Sequence, residues 1–401
     1  MSSTTRAGSY RVLLNDRPLR RAFMVGLAGR SGYALLPLCL LFSIADSSGS
    51  FAVAATATAV FGIGGLVMPV QARLLDRLGQ PTVLPLVGLW FTAFLAVAAS
   101  SAATGVQPAA FWIALCLAGG VGAPSLGPAM RAQWREATPD DQREPAYALD
   151  AMAEEVLFLV GPLAASVILF VGQAWWGVAA TAVLMPIGIA GLVRSPYTPQ
   201  RQPAMAGVRE WMGPFRRSGF RRLMLMMALV GLSASAWLTV LAGLADAQGR
   251  ASVVGLVEAA TGAASVLGAL WWGRRSSHLP WPKEVSLLVA AYIPLAAICL
   301  MYPSLWTIAV TLSITGLVMA PIYVVAYAAS DHETDARHHT EASTWVNSVT
   351  NVGTSLGAVA AAWLYTHTGP AAVFVAIFAA LLLLLAAAAQ TRERSDPDTV
   401  L

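Results

Sequence analysis

Charge is what this chain most lacks: Asp, Glu, Lys and Arg together make up 11% of its 401 residues, against about 25% in soluble globular domains. That shortage excludes a solvated surface over most of its length. Lysine is almost absent, Lys283 standing alone beside the arginines. The net charge of +4 therefore sits in short arginine clusters between apolar runs, with no aromatic-interleaved basic face, and nucleic acid is excluded as a partner. Cys39, Cys116 and Cys299 are the only cysteines, each inside an apolar run and without paired spacing, so neither a disulfide framework nor a cysteine metal site is supported. No glycine-rich phosphate loop and no nucleophile elbow occurs, so nucleotide-driven pumping and hydrolysis have no motif. The chain is expected to be no enzyme and to hold no cofactor. Asp331, His332, Glu333, Asp335, His338 and His339 crowd one segment but lack a ligand spacing, and no metal is expected there.

What is present is apolar length. Hydrophobic residues are 57% of the chain, gathered in runs near the roughly 20 residues that cross a hydrocarbon core of about 30 Å. Twelve spans are expected: Leu19–Ala45, Ser50–Ala72, Thr82–Ala103, Ala109–Gln133, Ala146–Val171, Ala174–Val193, Phe220–Ala245, Ser252–Gly273, Pro282–Met301, Ser304–Ala329, Ala342–Tyr365 and Ala371–Ala389. Arg11, Arg17, Arg20 and Arg21 before the first run resemble a signal peptide, but the run is too long and contains Arg30, which favours an uncleaved helix. With the N-terminus inside, 23 of the 25 basic residues fall in inward segments. The positive-inside rule thus predicts cytoplasmic termini.

The Pro-, Gln- and Arg-rich stretch 194–219 divides six spans (1–193) from six (220–401) and reads as a cytoplasmic linker. Its piece Arg209–Arg217 mixes basic and aromatic residues, which suits either the inner leaflet or plain solvent. An internal repeat supports the division: Ala45-Asp46-Ser47-Ser48-Gly49 recurs as Ala245-Asp246-Ala247-Gln248-Gly249, and Val53/Val253, Ala59/Ala259 and Gly62/Gly262 keep the register.

Two motifs follow. The loop after the second span, Ala72-Arg73-Leu74-Leu75-Asp76-Arg77-Leu78-Gly79-Gln80-Pro81, carries Asp76, Arg77 and Gly79 at the spacing of Gly-x-x-x-Asp-Arg-x-Gly. Ala72 replaces the leading glycine, and Gln80 and Pro81 the trailing basic residues. In the fifth span Gly161-Pro162 precedes Ala164-Ala165. Together with span count, orientation and the repeat, these residues resemble the major facilitator superfamily and its drug-exporting antiporters. The resemblance implies an all-α polytopic membrane protein of two pseudo-symmetric six-helix halves, acting as a monomer, with substrate bound near the midplane between the halves and access alternating by rocking. It implies that Asp76 forms a breakable latch with Arg77, Gly79 and Arg131, and that Gly161-Pro162 marks export. A solvated Asp76–Arg77 pair and a plain helix kink are the structural alternatives.

Charges within spans are costly and mark function by default. Glu154 and Glu155 sit about 100° apart on the fifth helix; Asp150 and Gly161 share the face of Glu154. Arg30 enters the first span to a similar depth, and an Arg30–carboxylate pair is expected. Such a pair is either a structural bridge or a proton site. In low dielectric a carboxylate favours its protonated form and a guanidinium neighbour the ionised one, so separating them would load and release a proton, with Glu155 favoured as carrier. Matching Gly353 to Gly161 sets Asn347 at the place of Glu155 and Asn351 at that of Leu159. Trp345, Asn347 and Asn351, with Tyr323, Tyr327, Tyr33 and Glu258, are candidate substrate contacts; helix packing is the alternative.

The expected function is export of a small amphipathic drug or natural product in exchange for protons, across the cytoplasmic membrane of a bacterium, the arginine bias suggesting a GC-rich genome. Proton-coupled nutrient import and a non-transporting membrane receptor are the alternatives.

Overall fold

The computed structural model describes residues 15–67, 70, 71, 74, 75, 78–105, 107–200, 213–272, 279–334 and 339–393. Within these, the side chains of 65, 66, 140–145, 147, 148, 151, 152, 155, 213, 331, 339–341, 343, 344 and 387–393 lie outside the description. Asp76 and Arg77, the middle of the expected linker (201–212) and part of the 331–339 segment are therefore beyond structural account.

Among the described residues all regular structure is helical. The first unit, Met1–Ala206, contains α1 (Arg17–Ser48), α2 (Phe51–Ile63), α3 (Gln80–Thr104), α4 (Ala109–Val121), α5 (Leu126–Ala137), α6 (Asp140–Val171) and α7 (Trp175–Val193). The second, Gly207–Leu401, contains α8 (Ser218–Ala247), α9 (Ser252–Trp272), α10 (Trp281–Ala290), α11 (Tyr292–Met301), α12 (Leu305–His332), α13 (His339–Thr368) and α14 (Pro370–Glu393). Eight elements are long and apolar enough to cross a membrane, and three shorter apolar helices add to them among the described residues. Exposed apolar side chains such as Leu86, Phe170 and Leu267 recur from helix to helix, more than water tolerates on a monomer and fitting a bilayer as solvent.

Each of the twelve expected spans is helical over most of its length, with two interruptions that periodicity did not show. The fourth span breaks at residues 122–125 between α4 and α5, where Gly122 costs the helix backbone entropy and Pro124 supplies no N–H. The ninth breaks at Ala291 between α10 and α11. Pro294 lies three residues on; it removes the bond to the Ala290 carbonyl and crowds that oxygen with its ring.

The repeat seen in sequence is a repeat of turns. Gly49, at the end of α1, has φ +66°, and Gly249, just after α8, has φ +64°; both adopt the left-handed conformation that glycine enters without a Cβ penalty. Within each unit the first helix is gripped through small residues. On α1, Gly29 lies against Gly188 of α7, and Thr181 donates to the Gly32 carbonyl at 3.2 Å. On α8, Gly231 lies against the Thr350 carbonyl of α13, Gly353 against Ala228 and Gly357 against Leu232, with Ser235 donating to the Thr354 carbonyl at 2.7 Å. Lipid tails are as apolar as leucine, so close backbone approach and such hydrogen bonds hold membrane helices together.

Candidate functional site

The buried charge of the first unit is concentrated in one place. Arg30, near the middle of α1 and 6% exposed, sends Nη1 to Oδ1 of Asp150 at 2.7 Å and Nη2 to Oε2 of Glu154 at 3.1 Å. Asp150 and Glu154 are one turn apart on α6, so a single guanidinium reaches both. From α5, Nη1 of Arg131 stands 3.6 Å from Glu154 Oε2 and 3.9 Å from Asp150 Oδ2. Two positive groups thus balance two negative ones, which is the condition for holding them out of water.

The balance of charge is not a balance of hydrogen bonds. Asp150 is fully buried, yet its Oδ2 accepts none, and the contact of Arg30 Nη2 with Glu154 lacks hydrogen-bond alignment. Incompletely satisfied buried charges are costly and gain by exchanging partners. Glu154 is 34% exposed where Asp150 is sealed. The difference comes from a cavity of about 220 Å³ bordered by Arg30, Tyr33, Leu157, Phe158 and Glu154, with room for several waters. Gly127 borders the cluster, with Arg30, Arg131 and Glu154 all within 4.0 Å of where a Cβ would stand.

Tyr33 lines this cavity, and the broken fourth span explains its orientation. The Pro124 carbonyl, freed by the break, accepts the Tyr33 hydroxyl at 2.8 Å. Gly161 of α6 lies about two helical turns beyond Glu154 with its Cα against Ala34 of α1, where a Cβ would collide with the Ala34 side chain and carbonyl. The motif glycine is therefore the close-approach point of the two helices that carry the charges.

The second unit repeats the packing without the charge. Gly353 stands against Ala228 of α8 as Gly161 stands against Ala34 of α1. Counting back from these contacts, the places of Arg30, Asp150 and Glu154 fall to Met224, Ala342 and Val346, while the register of the repeat, 200 positions on, sets Val230 at the place of Arg30; all four are apolar and buried. In the second unit the corresponding pair of helices packs through apolar residues.

The remaining expected residues divide. Tyr327 donates to Oδ1 of Asn347 at 2.7 Å, and the Tyr323 and Tyr327 rings lie 6.1 Å apart. Asn347 and Asn351 are exposed one turn apart on α13, while Val346, Thr350 and Gly353 turn inward to α8. Trp345 instead packs edge-on against Phe215 at 5.0 Å, anchoring the turn before α8. Glu258 is half-buried on α9 and has no ion pair among the described residues. Gly79, φ +84°, begins α3 as a motif glycine should. Its neighbour Gln80, where the motif carries a basic residue, joins a buried amide network: Gln80 donates to the Ala129 carbonyl at 3.0 Å, and Gln133 donates to Gln80 at 3.1 Å and to the Leu192 carbonyl at 2.9 Å. Arg131, expected as a partner of Asp76, is turned to Asp150 and Glu154. The side chain of Glu155, the favoured carrier, lies outside the description.

Asp150 is the functional candidate that sequence reasoning passed over. Its signal was the four-residue spacing to Glu154; what was missing was which face of α6 meets Arg30. The Gln80–Gln133 network had no signal at all, since amides at two helix ends look like ordinary capping residues.

Residues 223–400 match the family model described as Major Facilitator Superfamily. No curated protein matches the sequence. Among solved structures, the chain is similar to the nucleoside transporter NupG (TM-score 0.72, 13% identity, covering 93% of this chain and 99% of that one). It is also similar to a bacterial homologue of the iron transporter ferroportin in an inward-facing state (TM-score 0.70, 12% identity, 93% and 98% covered). A third is the human organic anion transporter MFSD10 (TM-score 0.62, 16% identity, 93% and 99% covered).

Proposed function

We propose that this chain, a membrane transporter of the major facilitator type, exports a small amphipathic molecule in exchange for protons, with Asp150 and Glu154 as the proton-binding pair and Arg30 and Arg131 as the groups that displace the proton. Alternating access carries the exchange across a bacterial cytoplasmic membrane, with both termini inside. Carrying the reading is one observation: the cluster is charged in the first unit while its counterpart Met224, Ala342 and Val346 is apolar and buried. A purely structural bridge is often replaceable by apolar residues at no loss, and here the second unit has that replacement.

The cycle needs two states of one cluster. With Arg30 against both carboxylates, as in this structure, the guanidinium occupies the place a proton would take. When the guanidinium is drawn away, an acid left in low dielectric takes up a proton, and its return expels it. Glu154, at the cavity, exchanges with water; Asp150, sealed behind it, sets the position of Arg30. Gly161 lets α6 shift against α1, and export rather than import rests on the Gly161-Pro162 motif. Tyr323, Tyr327, Asn347 and Asn351 offer a neutral hydrogen-bonding face for the substrate, and Glu258 a further polar contact. The latch assigned to Asp76 and Arg77 belongs to this proposal by motif alone.

Sealed vesicles test the direction. An imposed proton gradient drives substrate against the proton flow in an exporter and along with it in an importer; a receptor moves nothing.

A further inference from the structure

A groove outside the charge cluster runs between the start of α1 and the end of α7, with a volume of about 770 Å³. Arg17 and Arg21, one turn apart on α1, and Arg194, at the end of α7, rim it. All three are exposed, and among the described residues none of their guanidinium groups has a carboxylate partner. For Arg17 and Arg21 this is an unfavourable place: like charges four residues apart repel on a helix, and the first turns of a helix carry the positive end of its dipole. Asp16, at the N-cap, is the acid at this end of α1 and is occupied in capping it, and the first turn itself contains none. Beneath the rim the groove is apolar, with Val25, Ile187 and Gly191 along its length; Gly191 sits so close to Val25 that a side chain there would fill it.

The rim is held in place. Asp16 caps α1 by accepting the Leu19 N–H at 3.0 Å, and its other oxygen accepts the Tyr197 hydroxyl at 2.5 Å, tying the chain after α7 to the start of α1. We infer that this groove binds an anionic phospholipid, its phosphate held by Arg17, Arg21 and Arg194 and an acyl chain laid along Val25, Ile187 and Gly191. The rim supplies charge complementarity at the end of two membrane helices, where headgroups lie, and the apolar floor continues from it towards the depth of the tails. Residues 1–14, with Arg6 and Arg11 and no acid, do not complement such a rim.

The test is native mass spectrometry of the full chain in non-ionic detergent, titrated with phosphatidylglycerol or with phosphatidylcholine of the same acyl chains. Wild type is expected to retain phosphatidylglycerol about tenfold or more tightly. Arg17→Gln/Arg21→Gln/Arg194→Gln should abolish the preference, and the three lysine variants restore part of it. Should the triple variant not fold, Arg21→Gln alone is expected to show a graded loss. Val25→Trp, which obstructs the floor and keeps the arginines, should also lose retention. Equal retention of the two lipids by wild type overturns the inference, as does an unaltered preference in the arginine variants or in Val25→Trp. Displacement of phosphatidylglycerol by millimolar inorganic phosphate would show a free-anion site instead.

Discussion

Arg30 and Asp150 meet at 2.7 Å across 120 positions of sequence, and by the matching glycine contacts of Gly161 and Gly353 the residues at their places in the second unit are Met224 and Ala342, with Val230 at the place of Arg30 in the register of the repeat. That substitution, made by the chain itself, separates what the pair does for the fold from what it does for transport. Breaking it from one side strands a buried charge, at a cost of about 3–5 kcal/mol. Arg30→Met or Asp150→Ala alone should therefore lower the thermal midpoint in detergent sharply, and the two together should recover most of the loss. Additive losses would mean that the two residues are not coupled, and a double variant no more stable than the singles would mean that the bridge itself holds the unit. The recovered double variant is expected to fold and to lose proton-driven flux.

Gly161 has no room for a methyl group against Ala34. Gly161→Ala should cost about 1–3 kcal/mol by forcing α6 from α1, and Ala34→Gly in the same chain should return part of it. Thermal unfolding of the two variants beside wild type checks this. An unchanged midpoint for Gly161→Ala would show that the helices have slack.

The Tyr327 hydroxyl fixes the amide of Asn347 at 2.7 Å. With that hydrogen bond worth about 1 kcal/mol, Tyr327→Phe should weaken apparent substrate affinity about fivefold and leave the maximal rate nearly unchanged. Trp345→Phe, which alters packing against Phe215, should not raise the apparent KM. Transport kinetics on both variants distinguishes a substrate face from helix packing; the opposite ranking removes Asn347 and Tyr327 from the site.

Outside the spans, the Asp16 carboxylate that accepts its hydrogen bond pushes the Tyr197 phenol above its ordinary pKa of 10.0. A raised pKa on an acid that is neutral when protonated means stability that is fully present below about pH 10 and is lost as pH rises through the raised value. Tyr197→Phe should lower the midpoint near neutrality, where the bond is intact, and remove this alkaline decline, so that the two proteins converge at high pH. Melting curves from pH 8 to 11 show whether the decline disappears.

The architecture was legible because hydrophobic length is a coarse signal: a run long enough to span a bilayer has one structure available to it. The Gly49 and Gly249 turns were legible for the same kind of reason, since a left-handed residue at a helix end selects glycine. The breaks at 122–125 and Ala291 were not, because apolarity continues across them while only the proline and glycine chemistry changes. At the site, a partner for Arg30 was foreseen from matching depths along two helices. Its identity was not: depth is read along a helix, whereas choosing between the Asp150–Glu154 face and that of Glu155 needs the rotation of α6 about its axis, which tertiary packing at Gly161 decides.

Proton-driven flux through Glu154→Gln tests the coupling most directly. Everted membrane vesicles with an acidic lumen are loaded with amphipathic fluorescent dyes from outside, and uptake is compared among wild type, Glu154→Gln, Asp150→Asn and Glu155→Gln. The coupling role of the cluster predicts that Glu154→Gln abolishes uptake driven by the pH gradient while dye exchange down its own gradient persists, and that Glu155→Gln retains gradient-driven uptake. Full gradient-driven uptake in both Glu154→Gln and Asp150→Asn would contradict it.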